Sequence, residues 1–254
     1  MTATATRSAA ADDKLVRRFA EALARLNPGG GRIGLAVSGG PDSMAMLLLA
    51  HAAVPGGFEV ATVNHGLRQA AADECRLVAA TCAERDIPCE VLTVHVAAGN
   101  VQAAARDARY AALAGWAQER ELAAVATAHH ADDQAETLLM RLNRGSGVAG
   151  LAGVRERTVI PSSPILLIRP LLFFRRVELA RVVAEQGLSP ALDPSNEDDR
   201  FDRVRLRKAL ASTAIIDPVA VAASASHLAE AEEALDWAAR REWDQCVTLG
   251  EGEI

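Results

Sequence analysis

The sequence is short of lysine, which supplies only two of its 27 basic residues, Lys14 and Lys208. Neither lysine follows a glycine, so the chain lacks the Gly-Lys-Ser/Thr end of a Walker A loop. The P-loop NTPases and the P-loop kinases are therefore excluded.

Cysteines and long apolar runs are scarce as well. The four cysteines, Cys75, Cys82, Cys89 and Cys246, form no Cys-x-x-Cys pair and no metal-binding spacing with histidine, so we interpret them as reduced thiols. The longest uncharged stretch, residues 43–58, is interrupted by Pro55-Gly56-Gly57. The start of the chain has no apolar segment either, so neither export nor membrane insertion is indicated and a cytoplasmic protein is expected.

The charge is unevenly distributed along the 254 residues, whose composition is that of one globular domain with a small appendage. The formal net charge of −6 at first argues against a nucleic-acid partner, because phosphate binding needs a basic surface. Residues 141–208, however, hold 13 basic and 8 acidic residues, whereas residues 209–254 hold 2 basic and 9 acidic ones. The first of these segments could therefore face an RNA.

Apolar runs typical of strands alternate with helical patterns along the first half of the chain. Strands are predicted at 33–37, 58–64, 89–94 and 123–128, and helices at about 14–26, 42–53, 69–85, 101–120 and 218–246. Strand–helix units of this length predict an α/β fold, a Rossmann-like parallel sheet with helices on both faces.

Polar clusters follow three of the predicted strands. They are Ser-Gly-Gly-Pro-Asp-Ser at 38–43, Asn-His-Gly-Leu-Arg at 64–68 and Ala-His-His-Ala-Asp-Asp at 128–133. Ligands of such sheets bind at the carboxyl ends of the strands. These clusters are therefore predicted to carry the chemistry.

The first cluster has the features of a phosphate-binding loop. Its two glycines allow a sharp turn and a close approach of backbone N–H groups to an anion, and its proline suits the first turn of the helix that follows. A carboxylate beside phosphates is repulsive unless a cation bridges them, so Asp42 is a candidate Mg²⁺ ligand. The alternative is an ordinary turn and helix cap. The predicted ATP contacts here are Ser38, Gly39, Gly40, Pro41, Asp42 and Ser43.

The loop resembles the SGG-x-D-S pyrophosphate loop of the N-type ATP pyrophosphatases, or PP-loop enzymes. Within that superfamily, five further motifs resemble the tRNA(Ile)-lysidine synthetases, so that the likeness covers about residues 30–210. The motifs are residues 63–68, 105–110, 127–154, 169–172 and 193–196.

The resemblance implies an adenine nucleotide alpha hydrolase-like fold that uses ATP and Mg²⁺. Its implied reaction joins L-lysine to carbon 2 of the wobble cytidine of isoleucine tRNA with the CAU anticodon, through an adenylated tRNA, and releases AMP and pyrophosphate. We expect an N-terminal helix over 1–29, the PP-loop catalytic domain over 30–209, and a helical linker or truncated C-terminal region over 210–254.

The third cluster opens a helix with Asp132, Asp133 and Glu136. At 100° per residue, Asp132 and Glu136 lie on one flank while Asp133 points further out. The resemblance implies that the cluster helps to hold Mg²⁺-ATP and receives the amino groups of lysine. His130, Asp132 and Glu136 are the candidate general bases, and simple helix capping is the alternative.

Two more sets of residues are candidate nucleotide contacts. Arg106 and Arg109 share a helix face with Tyr110, which suits cationic contacts to phosphates, although solvated surface arginines would look the same. At the second strand exit the candidate contacts to ATP are Asn64, His65 and Arg68.

Further arginines are candidate contacts to substrate or tRNA. Residues 145–150 fit G-x-G-x-x-G by letter but follow a helix, so a dinucleotide site is rejected and a mobile loop is expected, flanked by Arg141 and Arg144. The resemblance implies that this loop, including Gly145, lines the site near lysine or the RNA. Arg203, Arg205 and Arg207 suit RNA phosphates, although they could instead pair with the acids at 197–199 and 202.

Two other functions remain open at this stage. A tRNA thiolation protein of the same superfamily generally needs paired cysteines, which this sequence lacks. A non-catalytic nucleotide-binding protein would keep the glycine loop but would need neither Asp42 nor the third cluster. The oligomeric state is also open, a homodimer included.

Overall fold

The computed structural model of the chain describes residues 3–66, 69–94, 101–191, 200, 202–213 and 215–247. The strands are β1 (Ile33–Ala36), β2 (Phe58–Asn64), β3 (Cys89–Thr93), β4 (Ala124–Ala126), β5 (Arg157–Val159) and β6 (Leu166–Ile168). The helices are α1 (Ala3–Leu26), α2 (Pro41–Ala53), α3 (Gln69–Ala83), α4 (Val101–Glu119), α5 (Ala131–Asn143), α6 (Val148–Leu151), α7 (Arg176–Glu185), α8 (Asp202–Ala211) and α9 (Pro218–Cys246).

The strands form one sheet in the order β3-β2-β1-β4-β6-β5. All neighbouring pairs are parallel except β5 and β6, which are antiparallel at the edge, so the predicted α/β class and largely parallel sheet are confirmed. The chain runs outward from β1 to β3 and then returns to β4 on the other side of β1. This switch point between β1 and β4 is where a ligand of such a sheet binds, because the loops after both strands diverge there.

Side chains alternate between two cores, one on each face of the sheet. Leu35 of β1 belongs to the core that includes Phe19 of α1 and Met44 of α2, whereas Val125 of β4 belongs to the core that includes Trp116 of α4. Period-two alternation of this kind explains why the predicted helices cover both faces.

Gly34 of β1 lies directly under the Trp116 ring. A Cβ atom at this position would lie 2.4 Å from Cζ3 of Trp116 and 3.0 Å from Cδ1 of Leu122. We therefore expect Gly34→Ala to lower the free energy of unfolding by about 2 kcal/mol through overpacking. Gly115→Ala, on α4, is the matched control because nothing lies within 4 Å of its added Cβ. Urea unfolding of both variants checks this, and equal stability of the two would contradict it.

Two strands were not predicted. β5 and β6 have three residues each, too few for a period-two pattern to be recognised, yet β6 adds a parallel strand next to β4. Their absence from the prediction matters because Arg169 follows β6 directly.

The C-terminal helix α9 spans the predicted residues 218–246, and it packs against α5 and α6. Its second half is exposed, including Leu235, Trp237 and Trp243. No helix among the described residues is both long enough and apolar enough to cross a membrane. The three-part division of the chain stays a prediction.

Candidate active site

The loop between β1 and α2 turns at Gly39, where φ is +84°. A Cβ atom on Gly39 would lie 3.2 Å from the carbonyl oxygen of Glu74, so only glycine fits there without strain. Gly40 is the N-cap of α2 and Pro41 its first residue. The first backbone N–H groups of α2 have no helical acceptor, so they form an anion-binding end at the switch point.

The two serines of the loop differ in what they offer to a ligand. The Ser43 hydroxyl accepts from the Ser38 N–H at 3.1 Å and donates to the Gly40 carbonyl at 3.0 Å, and its side chain is buried. Ser38 is exposed. Ser43 therefore closes the loop, whereas Ser38 can still face a phosphate.

Asp42, in the first turn of α2, faces His130 at the start of α5. Nε2 of His130 lies 3.4 Å from Oδ2 of Asp42, and the histidine is fully buried. Burial opposes ionisation of Asp42, but the His130 hydrogen bond and charge, with Arg176 and Arg207, outweigh it and lower the Asp42 pKa. Oδ1 of Asp42 is buried and has no hydrogen-bond partner among the described residues.

His130 also caps α5. Its Nδ1 accepts from the Asp133 N–H at 3.4 Å, and its own N–H donates to Oδ2 of Asp133 at 3.3 Å. Burial tends to lower the His130 pKa, but Asp42 and Asp133 outweigh it and raise it. His130 thus caps α5 and also links the start of this helix to the carboxylate of the loop.

Asp132 connects α5 to α7. Its Oδ2 accepts from the Arg176 N–H, the first of α7, at 2.8 Å and lies 3.6 Å from Nε of Arg175. Asp132 and Glu136 therefore have different partners, and their place on one flank of α5 stays a prediction. Glu136 shares Arg203 with Asp133, so one arginine of α8 bridges two acids of α5.

Glu136 is held by two arginines of α8. Its carboxylate accepts from Nε of Arg203 at 2.7 Å and from Nε of Arg207 at 2.8 Å, and the side chain is only 1% exposed. Arg203 and Arg207 thus point into the site, which neither predicted alternative described. Arg205 pairs with Asp202, as one predicted alternative had it, and its side chain is the most exposed of the three.

Two arginines of α4, Arg106 and Arg109, lie against the ring of Tyr110. The guanidinium carbons of Arg106 and Arg109 lie 5.1 and 5.3 Å from the Tyr110 ring centroid. Burial, followed by the charge of Arg169, lowers the pKa of the neighbouring His129 to about 4, and Asp133 opposes this only in part. His129 is therefore neutral at pH 7.

The titration of His129 should appear in the pH dependence of stability. The folded-state pKa lies below the unfolded value, so the neutral ring stabilises the fold above pH 6.5 and this contribution is lost as pH falls toward 4. We expect the wild type to lose more unfolding free energy between pH 7 and pH 4 than His129→Gln does. Urea titrations at both pH values measure this, with His227→Gln, on the exposed surface of α9, as control. Equal losses in wild type and His129→Gln would contradict the assignment.

The exit of β2 lies next to the loop, since β1 and β2 are paired. Oδ1 of Asn64 accepts from the Gly66 N–H at 2.9 Å, which shapes the turn, and His65 is half-buried beside it. Arg68 lies outside the described residues.

The segment after α5 contains the one-turn helix α6, and Nη1 of Arg141 donates to the Gly150 carbonyl at 2.7 Å. The mobility of this segment stays a prediction. Gly145 turns the chain with φ at +70°, and Arg144 next to it is exposed. Arg141 therefore ties the end of α5 to Gly150, whereas the side chain of Arg144 is exposed to solvent.

Several residues of this region were missed by sequence reasoning. Gln134 is buried and binds both the N–H and the carbonyl of Val154, at 2.7 and 2.8 Å. Arg175 and Arg176 form ion pairs with Asp132 and Asp133 of α5, respectively. Nothing in the local pattern separates these arginines from surface residues, because their partners lie about forty residues away in sequence.

A glycine loop opening a helix at the switch point of a largely parallel sheet defines a PP-loop nucleotide-binding protein. The PP-loop domain family model matches residues 11–214. A tRNA(Ile)-lysidine synthase of Novosphingobium aromaticivorans is 54% identical over 237 residues, which cover 92% of this chain and 72% of the relative. One from Zymomonas mobilis is 43% identical and covers 89% of this chain and 70% of the relative. The chain belongs to the tRNA(Ile)-lysidine synthase family.

The fold is shared more widely than the sequence. The U34-tRNA thiolase NcsA from Methanococcus maripaludis, solved with its [4Fe-4S] cluster, superposes with a TM-score of 0.67. It is 16% identical, and the match covers 86% of this chain and 80% of the thiolase. The likeness establishes the fold alone.

Proposed function

We propose that this protein uses ATP to join L-lysine to carbon 2 of the wobble cytidine in isoleucine tRNA with the CAU anticodon. Transfer of AMP to the carbonyl oxygen of that carbon would release pyrophosphate, and attack by the lysine ε-amine would release AMP. The observation that carries the proposal is the Asp42–His130 pair at the glycine loop of a chain 54% identical to a tRNA(Ile)-lysidine synthase.

The phosphates of ATP would bind at the start of α2. Gly39 and Gly40 bring the backbone close, the helix end supplies N–H donors, and Ser38 adds an exposed hydroxyl. The adenosine would extend toward Asn64 and His65 at the neighbouring strand exit.

Mg²⁺ fits the residues at the loop. Oδ1 of Asp42 is a buried, ionised carboxylate oxygen without a hydrogen-bond partner among the described residues, and oxygen is the ligand that Mg²⁺ prefers. Bound there, the ion would neutralise phosphate charge. Asp42 would hold it, and His130 would fix the Asp42 carboxylate in place.

The acids of α5 divide into two roles in this proposal. Glu136 is buried under two arginines, so it anchors α8 rather than taking a proton. Asp132 and Asp133 are half-buried and can receive the amino groups of lysine. Of the candidate general bases, Asp132 then fits best, because His130 is buried against Asp42 and cannot touch the substrate.

The arginines complete the substrate site. Arg106 and Arg109 would offset phosphate charge during adenylation, and Arg144, Gly145 and Arg205 lie on the outward side, where an RNA would approach. A homodimer remains part of the proposal, and light scattering of the purified protein would test it.

Pyrophosphate release tests the function. We expect sustained release from ATP only when both lysine and CAU-anticodon isoleucine tRNA are present, because the adenylated tRNA is consumed only when lysine attacks it. Pyrophosphate release that does not depend on lysine but requires a sulfur donor would favour a thiolation protein instead. ATP binding without any release, in the presence of both substrates, would favour a non-catalytic protein.

A further inference from the structure

The arginines around the site differ in whether they have carboxylate partners. Arg175, Arg176, Arg203 and Arg207 all lie within 4 Å of the acids of α5. By contrast, no carboxylate among the described residues lies within ion-pairing distance of Arg106, Arg109 or Arg169. The charge of the second group is therefore not balanced by the residues that the structure describes.

Arg169 is the member of this group whose burial costs the most free energy. It follows β6 directly and is only 5% exposed. One of its Nη atoms donates to the Arg155 carbonyl, but its Nε is buried and has no hydrogen-bond partner among the described residues. A buried cation with an unsatisfied donor is unfavourable unless an anion balances its charge and accepts a hydrogen bond from that donor.

The surroundings of Arg169 bring other positive charge to the same place. Arg106 and Arg109 both approach the ring of Tyr110, and the Tyr110 side chain in turn interacts with Arg169. The neighbouring His129 is uncharged at pH 7, so it adds no further repulsion. Three cations, a phenol and a neutral imidazole thus lie near one another.

We propose that Arg106, Arg109, Arg169 and Tyr110 form a second phosphate site, separate from the loop at residues 38–43. The shared chemistry of its ligand is a phosphate group, which planar guanidinium groups bind through paired hydrogen bonds. Two sources are available: a phosphodiester of the RNA next to the reacting nucleotide, or a phosphate of ATP beyond the reach of the loop. The choice of source rests on the proposed function, but the existence of the site does not.

Binding of inorganic phosphate tests the site without any catalysis. We expect phosphate to raise the titration midpoint of His129, followed by NMR, by about one pH unit, because the anion offsets the arginine charges. The rise should be smaller in Arg169→Gln and in Arg106→Gln. The second variant is included because Arg106 is exposed, so its replacement spares the core. Arg17→Gln on α1, an exposed arginine across the sheet, should respond like the wild type.

Binding measurements distinguish the two sources. If RNA supplies the phosphate, Arg106→Gln should weaken tRNA binding about tenfold and reduce the slope of log Kd against log salt by about 1, with ATP binding unchanged. If ATP supplies the phosphate, Arg106→Gln should raise the Kd for ATP about tenfold. The slope of log Kd against log salt for tRNA binding should then be unchanged. Unchanged binding of both, with no response of His129 to phosphate, would overturn the second site. A shift of His129 without lysidine formation would leave the site standing and refute the function alone.

Discussion

Asp42→Asn is expected to lower lysine- and tRNA-dependent pyrophosphate release by about 100- to 1000-fold. The substitution keeps the size of the side chain but removes the negative charge that faces His130 and the proposed Mg²⁺ position. A lost electrostatic contact to a reacting phosphate typically costs this much. The fold should survive, because Asn has nearly the same shape and keeps a side-chain oxygen that can face His130.

Asp236→Asn is the matched control for this prediction. Asp236 lies on the exposed half of α9 and pairs only with Arg240 in the described structure, so its loss should leave turnover unchanged. Circular dichroism of both variants separates folding from chemistry. Turnover retained by folded Asp42→Asn would refute the role of this carboxylate.

Glu136→Gln should have the largest effect on stability among the acids of the site. Glu136 accepts from Arg203 and Arg207 while 1% exposed, so the neutral amide would lose the negative charge and place its NH₂ group against one of the two guanidinium groups. Breaking a buried pair costs about 3–5 kcal/mol. Because both arginines can turn toward solvent, we expect a smaller loss than this, about 2 kcal/mol.

Glu185→Gln provides the comparison, since it alters an ion pair with Arg181 on the surface of α7. Such a pair contributes less than about 0.5 kcal/mol. Urea unfolding at pH 7 measures both variants. Equal stability of the two would mean that α8 is not anchored through Glu136.

The sequence predicted which loops form the site but only some of the contacts between its side chains. The alternation of strands and helices placed the loop at 38–43 and the histidines at 129–130 on the same edge of the sheet. The topology then explains their contact, because β1 and β4 are parallel neighbours. Asp42 and His130 therefore meet although 88 residues separate them.

What could not be predicted depends on how helices dock. Helical geometry gave the angular positions of Asp132, Asp133 and Glu136, but their partners come from α7 and α8, whose placement no local pattern specifies. The same holds for Arg203 and Arg207, which form ion pairs within the site although the run of arginines resembles an RNA-binding surface. The role of Arg169 depends on β6, a strand too short to recognise.

The most direct measurement follows labelled lysine into RNA. The protein is incubated with ATP, Mg²⁺, labelled L-lysine and isoleucine tRNA with the CAU anticodon, and the digested nucleosides are separated. We expect label in the wobble nucleoside, in equal amount to the AMP and pyrophosphate released, no label when ATP is omitted, and about 100- to 1000-fold slower labelling with Asp42→Asn. Cleavage of ATP with no lysine in the wobble nucleoside would contradict it.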